Sequence, residues 1–471
     1  MINLNKTKII ATLGPKSDKS KEIGRLIANG VNVFRLNMSH INDYLELKRI
    51  VETIRKTSND LDKHVGVLMD IAGPKIRVKS DFKQLKVKKG DLLTIGSGNS
   101  DLKITLNLSF QNIKIDSRIK VDDGKISFSV NKVITKRRLE IKALNDGVIQ
   151  QGKGVNFPNI KLDVPVLTKK DIKDIKAGIR LDVDWFALSF VRSKNDIKPF
   201  KKILKDNKCV KPIIAKIEKP EAVKKLDSII ESFDGVLVAR GDLAVEMGYG
   251  SVPIIQKRIT YLCHKYGKPV ILATQMLESM IYNDTPTRAE VNDIAVAVEQ
   301  GCDAVMLSAE TSVGKFPIES VRIMSKVISN MEQEISNFSN FKGTNPLIAK
   351  IDTQVSMCHS ASNITSELNA KLIIAMTESG SSAISMSLFR PSARIIAMSP
   401  NESVSKKLSL IWGLETEHIK DFKSTDEMIL SVNKFIKENK ILRKNDQFIL
   451  IAGVPVGVSG TTNMIRVETI K

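Results

Sequence analysis

The stretch IIAKIEKPEAVKKLDSIIESFDGVLVARGDLAVE, from Ile213 to Glu246, decides the fold. It holds two short apolar runs, IIAKIE and GVLVARGD, with a helix-like segment, EAVKKLDSIIESF, between them. This order predicts a strand–helix–strand unit of a parallel sheet. Charged residues end both runs: Lys216 and Glu218 end the first, and Asp242 ends the second.

These three charges are predicted to form a site. Side chains alternate along a strand, so Lys216 and Glu218 point to the same side, and α/β proteins bind ligands at the carboxyl ends of parallel strands. Two close carboxylates repel unless a cation separates them, so Glu218 and Asp242 are candidate ligands for Mg²⁺ or Mn²⁺. Lys216 would be a fixed positive charge suited to an anionic transition state. The alternative is a surface salt-bridge cluster, because charged side chains are mostly solvated.

Eight apolar runs of this kind can be counted, beginning near residues 8, 31, 65, 184, 212, 235, 269 and 304. Each is rich in Val, Ile, Leu and Ala without alternation, as expected of strands buried on both faces. Residues 1–73 and 165–345 hold these runs, and their combined length is close to the ~250 residues of a (β/α)8 barrel. We therefore predict an α/β fold whose largest domain is a (β/α)8 TIM barrel. Polar residues at the ends of the runs predict a site at the barrel mouth: Arg35, Asn37 and Ser39; Asp70; Ser189; Lys216 and Glu218; Asp242; Thr274; Ser308 and Glu310.

Two other segments are predicted to form separate domains. Residues 74–164 hold short β-like runs and turn signals but no long helix, which predicts a small all-β domain inserted in a barrel loop. Two chain crossings join it to the barrel, so it could hinge as a lid; a static, packed insertion is the alternative. Residues 346–471 alternate strands and helices again and predict an open α/β sheet domain.

Composition limits the classes of function. Of the 471 residues 42% are apolar, which is ordinary for a globular protein. The formal charge of +21 suits nucleic acid or small polyanionic substrates. Lysines occur throughout and only five tyrosines and two tryptophans are available for base stacking, so we favour a compositional bias over nucleic-acid binding. Four scattered cysteines, the lack of a run of transmembrane length and the lack of a signal-peptide core predict a cytoplasmic protein.

Long segments, in order and over the whole chain, resemble the pyruvate kinase family. The segments that carry the resemblance are TKIIATLGP, VNVFRLNMSH, DIAGPKIR, VDDGKISF, KGVNFP, AKIEKPEAV, VARGDLAVE, KPVILATQMLESM, TPTRAEVNDIA, VMLSAETSVGKFP, TESGSSA and VSGTTN. The resemblance implies transfer of a phosphoryl group from phosphoenolpyruvate to ADP, giving pyruvate and ATP. It also implies a barrel, an inserted B domain and a C-terminal domain, usually assembled as a homotetramer.

The resemblance further implies roles for individual residues. Lys216 resembles the lysine that stabilises the transferring phosphoryl group, and Glu218 and Asp242 resemble the ligands of Mg²⁺ or Mn²⁺. Substrate contacts are implied at Arg35, Gly241, Asp242 and Thr274, with Thr274 also in the proton relay. Nucleotide contacts are implied at Arg77, Lys153 and His40. Ser308 and Glu310 also lie in a family motif and are interpreted as structural, near a subunit contact.

One departure from the family pattern concerns K⁺. The family commonly binds K⁺ through positions that match Asn37, Ser39, Asp70 and the carbonyl of Ile71, and many members carry a glutamate where this chain has Lys75. A lysine ammonium can supply the charge that K⁺ otherwise supplies, so we expect an enzyme that does not require K⁺. The alternative is that Lys75 points to solvent and K⁺ still binds.

A second departure lies in the segment TESGSSA, whose effector-loop positions are Thr377, Ser379, Gly380, Ser381 and Ser382. As a Ser/Gly loop before a helix it suits a phosphate, or only ordinary capping by Ser381 or Ser382. Many relatives have Arg or Lys at the position of Ser381. A serine there lacks the charge-assisted contact to an effector phosphate, which is worth ~1.5–3 kcal/mol. We therefore expect a sugar monophosphate, AMP or no effector, not fructose 1,6-bisphosphate.

The third departure is the start of the chain, which lacks the leading segment of animal relatives and suggests a bacterial or organellar enzyme.

Two rival functions are kept open. Another barrel enzyme acting on phosphoenolpyruvate or pyruvate, such as a lyase, mutase or aldolase, would form pyruvate without ADP. A nucleic-acid-binding protein would bind with a steep salt dependence and no need for Glu218.

Overall fold

The first part of the chain alternates strands and helices. The computed structural model describes residues 5–111, 113–158, 160, 164–337, 348–422, 424–455 and 462–470. The elements before residue 73 are β1 (Lys8–Thr12), α1 (Ser20–Ala28), β2 (Val31–Asn37), α2 (Tyr44–Asp60) and β3 (Gly66–Ile71).

Short strands follow, antiparallel except for the β5–β6 pair, with a hydrophobic core of their own. They are β4 (Gln84–Val87), β5 (Leu92–Gly96), β6 (Leu102–Lys103), β7 (Arg118–Val121), β8 (Ile126–Thr135), β9 (Arg138–Ala143), β10 (Gly147–Gln150) and β11 (Val155–Asn156). Six of them form a sheet in the order β11-β7-β8-β9-β5-β6, and β10 pairs with β4. The expected all-β insertion is confirmed, and we call this part of the chain the insert.

The strand and helix alternation resumes after the insert. The elements are α3 (Lys169–Arg180), β12 (Trp185–Leu188), α4 (Ile197–Asp206), β13 (Ile213–Ile217), α5 (Pro220–Val223), α6 (Leu226–Ser232), β14 (Gly235–Ala239), α7 (Arg240–Met247), α8 (Val252–Lys265), β15 (Val270–Ala273), α9 (Arg288–Glu299), β16 (Ala304–Leu307), α10 (Ala309–Ser312) and α11 (Pro317–Asn337). Additional 3₁₀ helices lie at Lys194–Asp196, Tyr249–Ser251 and Glu278–Ile281.

The segment between β13 and β14 differs from the expectation of a single helix. Lys224 and Lys225 form a turn that separates α5 from α6. The turn lets the apolar residues of both pieces, among them Val223 and Leu226, become buried against the barrel. Packing therefore overrides the helical pattern of the sequence here.

The parallel strands close into a barrel in the order β1-β16-β15-β14-β13-β12-β3-β2, which confirms the predicted (β/α)8 architecture. Alternate residues of each strand face inward and outward. The inward positions, such as Val33, Leu68 and Ile214, belong to a different apolar cluster from outward neighbours such as Phe34 and Ile213. Burial on both faces explains why these strands show continuous apolar runs.

The C-terminal part forms an open sheet in the order β19-β18-β17-β20-β21, with β21 antiparallel to β20. Its elements are α12 (Thr353–Glu367), β17 (Leu372–Met376), α13 (Ser381–Leu388), β18 (Arg394–Ser399), α14 (Glu402–Leu408), β19 (Leu414–His418), α15 (Thr425–Glu438), β20 (Gln447–Gly453) and β21 (Thr462–Thr469). The expected domain boundary at 345/346 and most of the segment VSGTTN lie outside the described residues. Within the described ranges, we find no helix with the length and apolar character needed to span a membrane.

Candidate active site

The barrel mouth becomes polar because the inward-facing positions change from apolar to charged at the carboxyl ends of the strands. Along β13 and its end, Ile214 is fully buried and is followed on the same side by Lys216 and Glu218. Along β3, Leu68 is followed in the same way by Asp70. Period-two alternation therefore directs these side chains to one place above the packed barrel interior.

Lys216 is the centre of this polar layer. Its Nζ lies 3.2 Å from Asp70 Oδ1 and 3.0 Å from Glu218 Oε1, and it donates to Ser189 Oγ at 2.8 Å. Burial lowers the pKa of Lys216, but the two carboxylates outweigh this effect and raise it above its ordinary value. Lys216 therefore stays protonated at neutral pH and is held as a positive charge.

Asp70 connects this lysine to Arg35. The Arg35 guanidinium donates from Nε to Asp70 Oδ2 at 2.8 Å and from Nη1 to Thr12 Oγ1 at 3.1 Å. Burial would raise the pKa of Asp70, yet the charges of Lys216 and Arg35 hold it below its usual range. Two cations thus share one buried carboxylate, which holds both of them in fixed positions at the mouth.

Glu218 and Asp242 form the expected carboxylate pair. Glu218 Oε2 accepts from the Phe190 N–H at 2.9 Å, and Asp242 lies in the first turn of α7. Burial and the nearby Asp242 charge raise the pKa of Glu218, against the lowering effect of Lys216. No group of three or more His, Cys, Asp or Glu side chains in the described ranges is arranged to hold a metal. A pair of carboxylates suits Mg²⁺, which keeps several waters and substrate oxygens as ligands.

Thr274 has an unusual backbone. Its φ is +72° and that of Gln275 is +56°, a region that a β-branched residue rarely adopts. Arg240 holds the segment, donating to Ala273 O at 3.2 Å and to Thr274 O at 2.6 Å. The Gly241 N–H in turn donates to Thr274 Oγ1 at 2.8 Å. Strained backbone of this kind persists where surrounding contacts enforce it, often at functional sites.

The positions expected for K⁺ already have partners within the chain. Asn37 Oδ1 accepts from the Ser39 N–H at 3.1 Å, and the Ile71 carbonyl accepts from Ser189 Oγ at 2.7 Å. The ammonium of Lys75 does not point away from the site: its Nζ lies 4.0 Å from Asp242 Oδ1.

The residues expected to contact nucleotide lie in the insert and above β2. Arg77 forms a β-bridge with Gly154, so it lies beside Lys153. The Lys153 ammonium is 2.9 Å from Asp122 Oδ1, and Arg77 Nη1 donates to Gly152 O at 3.0 Å. Burial and the charges of Arg77, Arg35 and Lys75 lower the pKa of His40, which keeps it neutral at neutral pH.

The effector-loop positions run from the end of β17 into the first turn of α13. Gly380, at φ +93°, is the N-cap of α13 and provides no side-chain cap, so Ser381 and Ser382 are the first helical residues rather than caps. Ser381 Oγ donates to Gln354 Oε1 at 3.3 Å, and Ser382 Oγ lies 2.6 Å from Thr462 Oγ1. Thr377 and Ser379 also have partners within the chain. The Gly380 N–H donates to Thr377 Oγ1 at 2.9 Å, and Lys407 Nζ donates to Ser379 O at 2.8 Å.

Glu310 supports the loop after Thr274. It is buried, and its carboxylate accepts from the backbone N–H of Ser308 at 2.7 Å and of Leu277 at 3.2 Å. Burial raises the pKa of Glu310. These contacts fit the expected structural interpretation of Ser308 and Glu310.

Comparisons with known proteins identify the family. The family model "Pyruvate kinase, barrel domain" matches residues 4–321, and the model "Pyruvate kinase, alpha/beta domain" matches residues 355–468. The chain belongs to the pyruvate kinase family. Its activity is therefore phosphoryl transfer from phosphoenolpyruvate to ADP, giving pyruvate and ATP, the last step of glycolysis. The family match contradicts the rival expectation of a lyase, mutase or aldolase. Enzymes of the family generally use Mg²⁺.

Bacterial pyruvate kinases are similar over nearly the full chain. Pyruvate kinase 2 of Synechocystis sp. is 39% identical over 475 residues, which cover 99% of this chain and 79% of that protein. The pyruvate kinase of Methylorubrum extorquens is 38% identical, over 98% of this chain and 97% of the relative. A crystal structure of a pyruvate kinase from Cryptosporidium parvum aligns with a TM-score of 0.91 and 32% identity, covering 99% of this chain and 96% of that one.

Sequence reasoning missed several supporting residues. Arg240 lies at a strand end, where its charge could have drawn attention to it, but its partners are distant in sequence. Arg240 also pairs with Asp293 of α9 at 2.7 Å. Glu246 and Asn156, which join α7 to the insert at 2.9 Å, carried no signal beyond their place in family motifs.

Arg240→Lys is expected to lower kcat for pyruvate formation by about 10–100-fold, because a lysine cannot reproduce the forked hydrogen bonds that hold Thr274 in place. Steady-state kinetics and thermal melting would measure activity and folding. Arg322→Lys, on the exposed face of α11, is the matched control and should change neither. An unchanged kcat in Arg240→Lys would show that the position of Thr274 does not depend on the hydrogen bonds from Arg240.

Proposed function

We propose that Lys216 stabilises the phosphoryl group as it passes from phosphoenolpyruvate to ADP at the barrel mouth. The observation that carries this is its buried ammonium, held protonated between Asp70 and Glu218 at 3.2 and 3.0 Å. Phosphoryl transfer needs little covalent help and depends on positioning and on stabilisation of charge. A cation held in place before the reaction costs no reorganisation when negative charge develops.

Glu218 and Asp242 would hold Mg²⁺ or Mn²⁺ beside this lysine. Their chemistry fits the ion, since both are carboxylates and burial together with the Asp242 charge raises the pKa of Glu218. When bound, the ion supplies positive charge to the carboxylate and enolate oxygens of the substrate. In the ion's absence, Lys216 is the cation that balances Glu218.

Phosphoenolpyruvate is proposed to bind to the barrel residues. Arg35 is oriented by Asp70 and Thr12 and would contact the phosphate. The N–H of Gly241, which donates to Thr274 Oγ1, would share this hydrogen bond with the substrate carboxylate. The Thr274 hydroxyl oxygen accepts a hydrogen bond from the Gly241 N–H, so the hydroxyl proton is left for the substrate and for the relay that protonates the methylene carbon.

ADP is proposed to bind between the barrel mouth and the insert, with its phosphates on Arg77 and Lys153 and with His40 alongside. Lys153 is paired with Asp122, a contact that a phosphate would have to replace. The proposal makes ADP binding depend on the position of the insert, because Lys153 and Arg77 both belong to it. We also propose the predicted boundaries, 74–164 for the insert and 346–471 for the C-terminal domain, and a cytoplasmic location.

Lys216→Met is expected to reduce kcat by about 10²–10³-fold or more, the effect of removing a preorganised electrostatic contact. Mn²⁺ binding, followed by electron paramagnetic resonance, should be retained. With Mn²⁺ present the thermal melting curve should stay close to that of the parent enzyme, because Arg35 still balances Asp70 and the ion balances Glu218. Lys224→Met, at the exposed turn between α5 and α6, is the control. If Lys216→Met turned over at the parent rate, Lys216 would have no part in the mechanism.

We propose that K⁺ is not required. The oxygens of Asn37, Asp70 and Ile71 accept hydrogen bonds from within the chain, and Lys75 places an ammonium near Asp242. Pyruvate formation from phosphoenolpyruvate, ADP and Mg²⁺ should therefore reach its full rate in buffer free of K⁺ and stop when ADP is omitted. The Lys75→Glu variant should become dependent on added KCl.

Two outcomes would contradict different parts of this proposal. Activity that appears only with KCl would keep the function and remove the role given to Lys75. No pyruvate under either condition would contradict the function itself.

We propose a homotetramer that fructose 1,6-bisphosphate does not activate. Large side chains on the outside of the barrel, such as Tyr249 and Ile254, are more than 70% exposed and suit a subunit contact. Ser381 offers no positive charge, and its hydroxyl is bonded to Gln354. Light scattering should give four times the 52.2 kDa chain mass with and without the bisphosphate, and rates should respond at most to a sugar monophosphate or AMP. Activation by micromolar bisphosphate would refute this.

A further inference from the structure

Helix α7 connects the metal-binding side of the mouth to the insert. Asp242 lies in its first turn and Glu246 in its last. The Glu246 side chain is only 1% exposed, and its Oε1 accepts from Lys219 Nζ at 2.6 Å and from Asn156 Nδ2 of the insert at 2.9 Å. A buried carboxylate needs partners of this kind, because an unpaired charge in the interior is strongly unfavourable.

A second contact lies directly beside the first. Lys120 of the insert donates from Nζ to the Val245 carbonyl at 2.6 Å. The carbonyls in the last turn of a helix lack partners within the helix, and a cation is favourable at this end of the helix dipole. Lys120 and Asn156 are themselves cross-strand partners in the β7–β11 pair, so the two contacts act together. We call these four residues, Asn156, Lys120, Lys219 and Glu246, with the Val245 carbonyl, the α7 contact.

The proposed nucleotide residues lie close to the strand β11, which makes the α7 contact. Lys153 lies three residues before Asn156, and Arg77 bridges the intervening Gly154. Asp122, the partner of Lys153, belongs to a turn whose Gly124 lies against the Val245 side chain. Helix α7 therefore links the position of Lys153 and Arg77 to Asp242.

A cavity lies beside the α7 contact, between the insert and the barrel. Asn156, Lys219 and Glu246 line it, together with Lys75 and Phe190. The insert and barrel thus meet here through polar contacts beside a space that is lined in large part by apolar side chains. Discrete contacts of this kind allow a domain to change its angle when they break.

We infer that Asn156 and Lys120 are positioning residues for ADP, which hold the insert so that Lys153 and Arg77 face the metal side of the mouth. This inference rests on the proposed nucleotide roles of Lys153 and Arg77. The proposed contacts of phosphoenolpyruvate, at Arg35, Gly241, Asp242 and Thr274, all lie on the barrel. Loosening the α7 contact should therefore weaken ADP binding selectively.

The test is Asn156→Asp, which replaces a hydrogen bond to Glu246 with repulsion between two carboxylates. The KM for ADP should rise by about tenfold or more, while the KM for phosphoenolpyruvate stays within about twofold of the parent value. A residue needed only for folding would not separate these two constants. Lys120→Met tests the second contact without adding a charge, and should raise the KM for ADP in the same selective way.

Exchanging the donor and the acceptor between positions 156 and 246 should restore this contact. In the double variant Asn156→Asp/Glu246→Gln the glutamine amide can donate to the aspartate, and the net charge beside Lys219 returns to that of the parent. The KM for ADP should recover to within about threefold of the parent value if this hydrogen bond is what positions the insert. Asn131→Asp is the matched control, because Asn131 donates to Glu140 on the exposed side of the same insert. It should change neither constant.

The outcomes separate this inference from the proposed function. A parent enzyme that forms no pyruvate would contradict the function. An active parent whose Asn156→Asp and Lys120→Met variants keep the parent KM for ADP would overturn the inference alone. Equal rises in both KM values, or a double variant no better than Asn156→Asp, would also overturn it. If Asn156→Asp does not fold, Lys120→Met and the double variant decide by the same criteria.

Discussion

The buried ammonium of Lys216, between Asp70 and Glu218, is the interaction on which the rest of the mouth depends. Each of these charges would be costly to bury alone, and the effective penalty is several kcal/mol per ion. Together they form a chain of alternating charge from Arg35 through Asp70 and Lys216 to Glu218. Because the barrel interior below them is packed with apolar side chains, the charges interact in a low dielectric and are held strongly in place. Such a layer can meet a phosphoryl group without rearranging.

The barrel and the insert hold their functional residues in different physical ways. The barrel residues are held by strand geometry and by supporting hydrogen bonds. Arg240 donates to the Thr274 carbonyl, and the Glu310 carboxylate accepts from the Leu277 N–H. The residues of the insert depend on where the insert lies, and two polar contacts to α7 help to hold it. A rigid site for one substrate and an adjustable site for the other suit an enzyme that must admit ADP and then exclude water.

Much of the fold could be predicted from patterns in the sequence. The eight buried runs that form the barrel are distinctive because burial on both faces requires continuous apolar residues. The exceptions are instructive. The segment after Lys219 has a helical pattern but folds as α5 and α6, and β19, with the sequence LETEH, was not predicted. As an edge strand with one half-buried face, β19 has too few apolar residues to resemble a buried strand.

The sequence by itself determined which charged residues end the strands, and therefore that Lys216, Glu218, Asp242, Arg35 and Asp70 belong at one mouth. This follows because strand alternation and parallel order are local rules. Only the tertiary structure decided which partner each charge has: that Asp70 is shared by Arg35 and Lys216, that Arg240 holds Thr274, and that Glu246 of α7 meets Asn156 of the insert. These pairs are separated by tens of residues along the chain, and no local pattern encodes a contact that is made only when the barrel closes and the insert folds onto it.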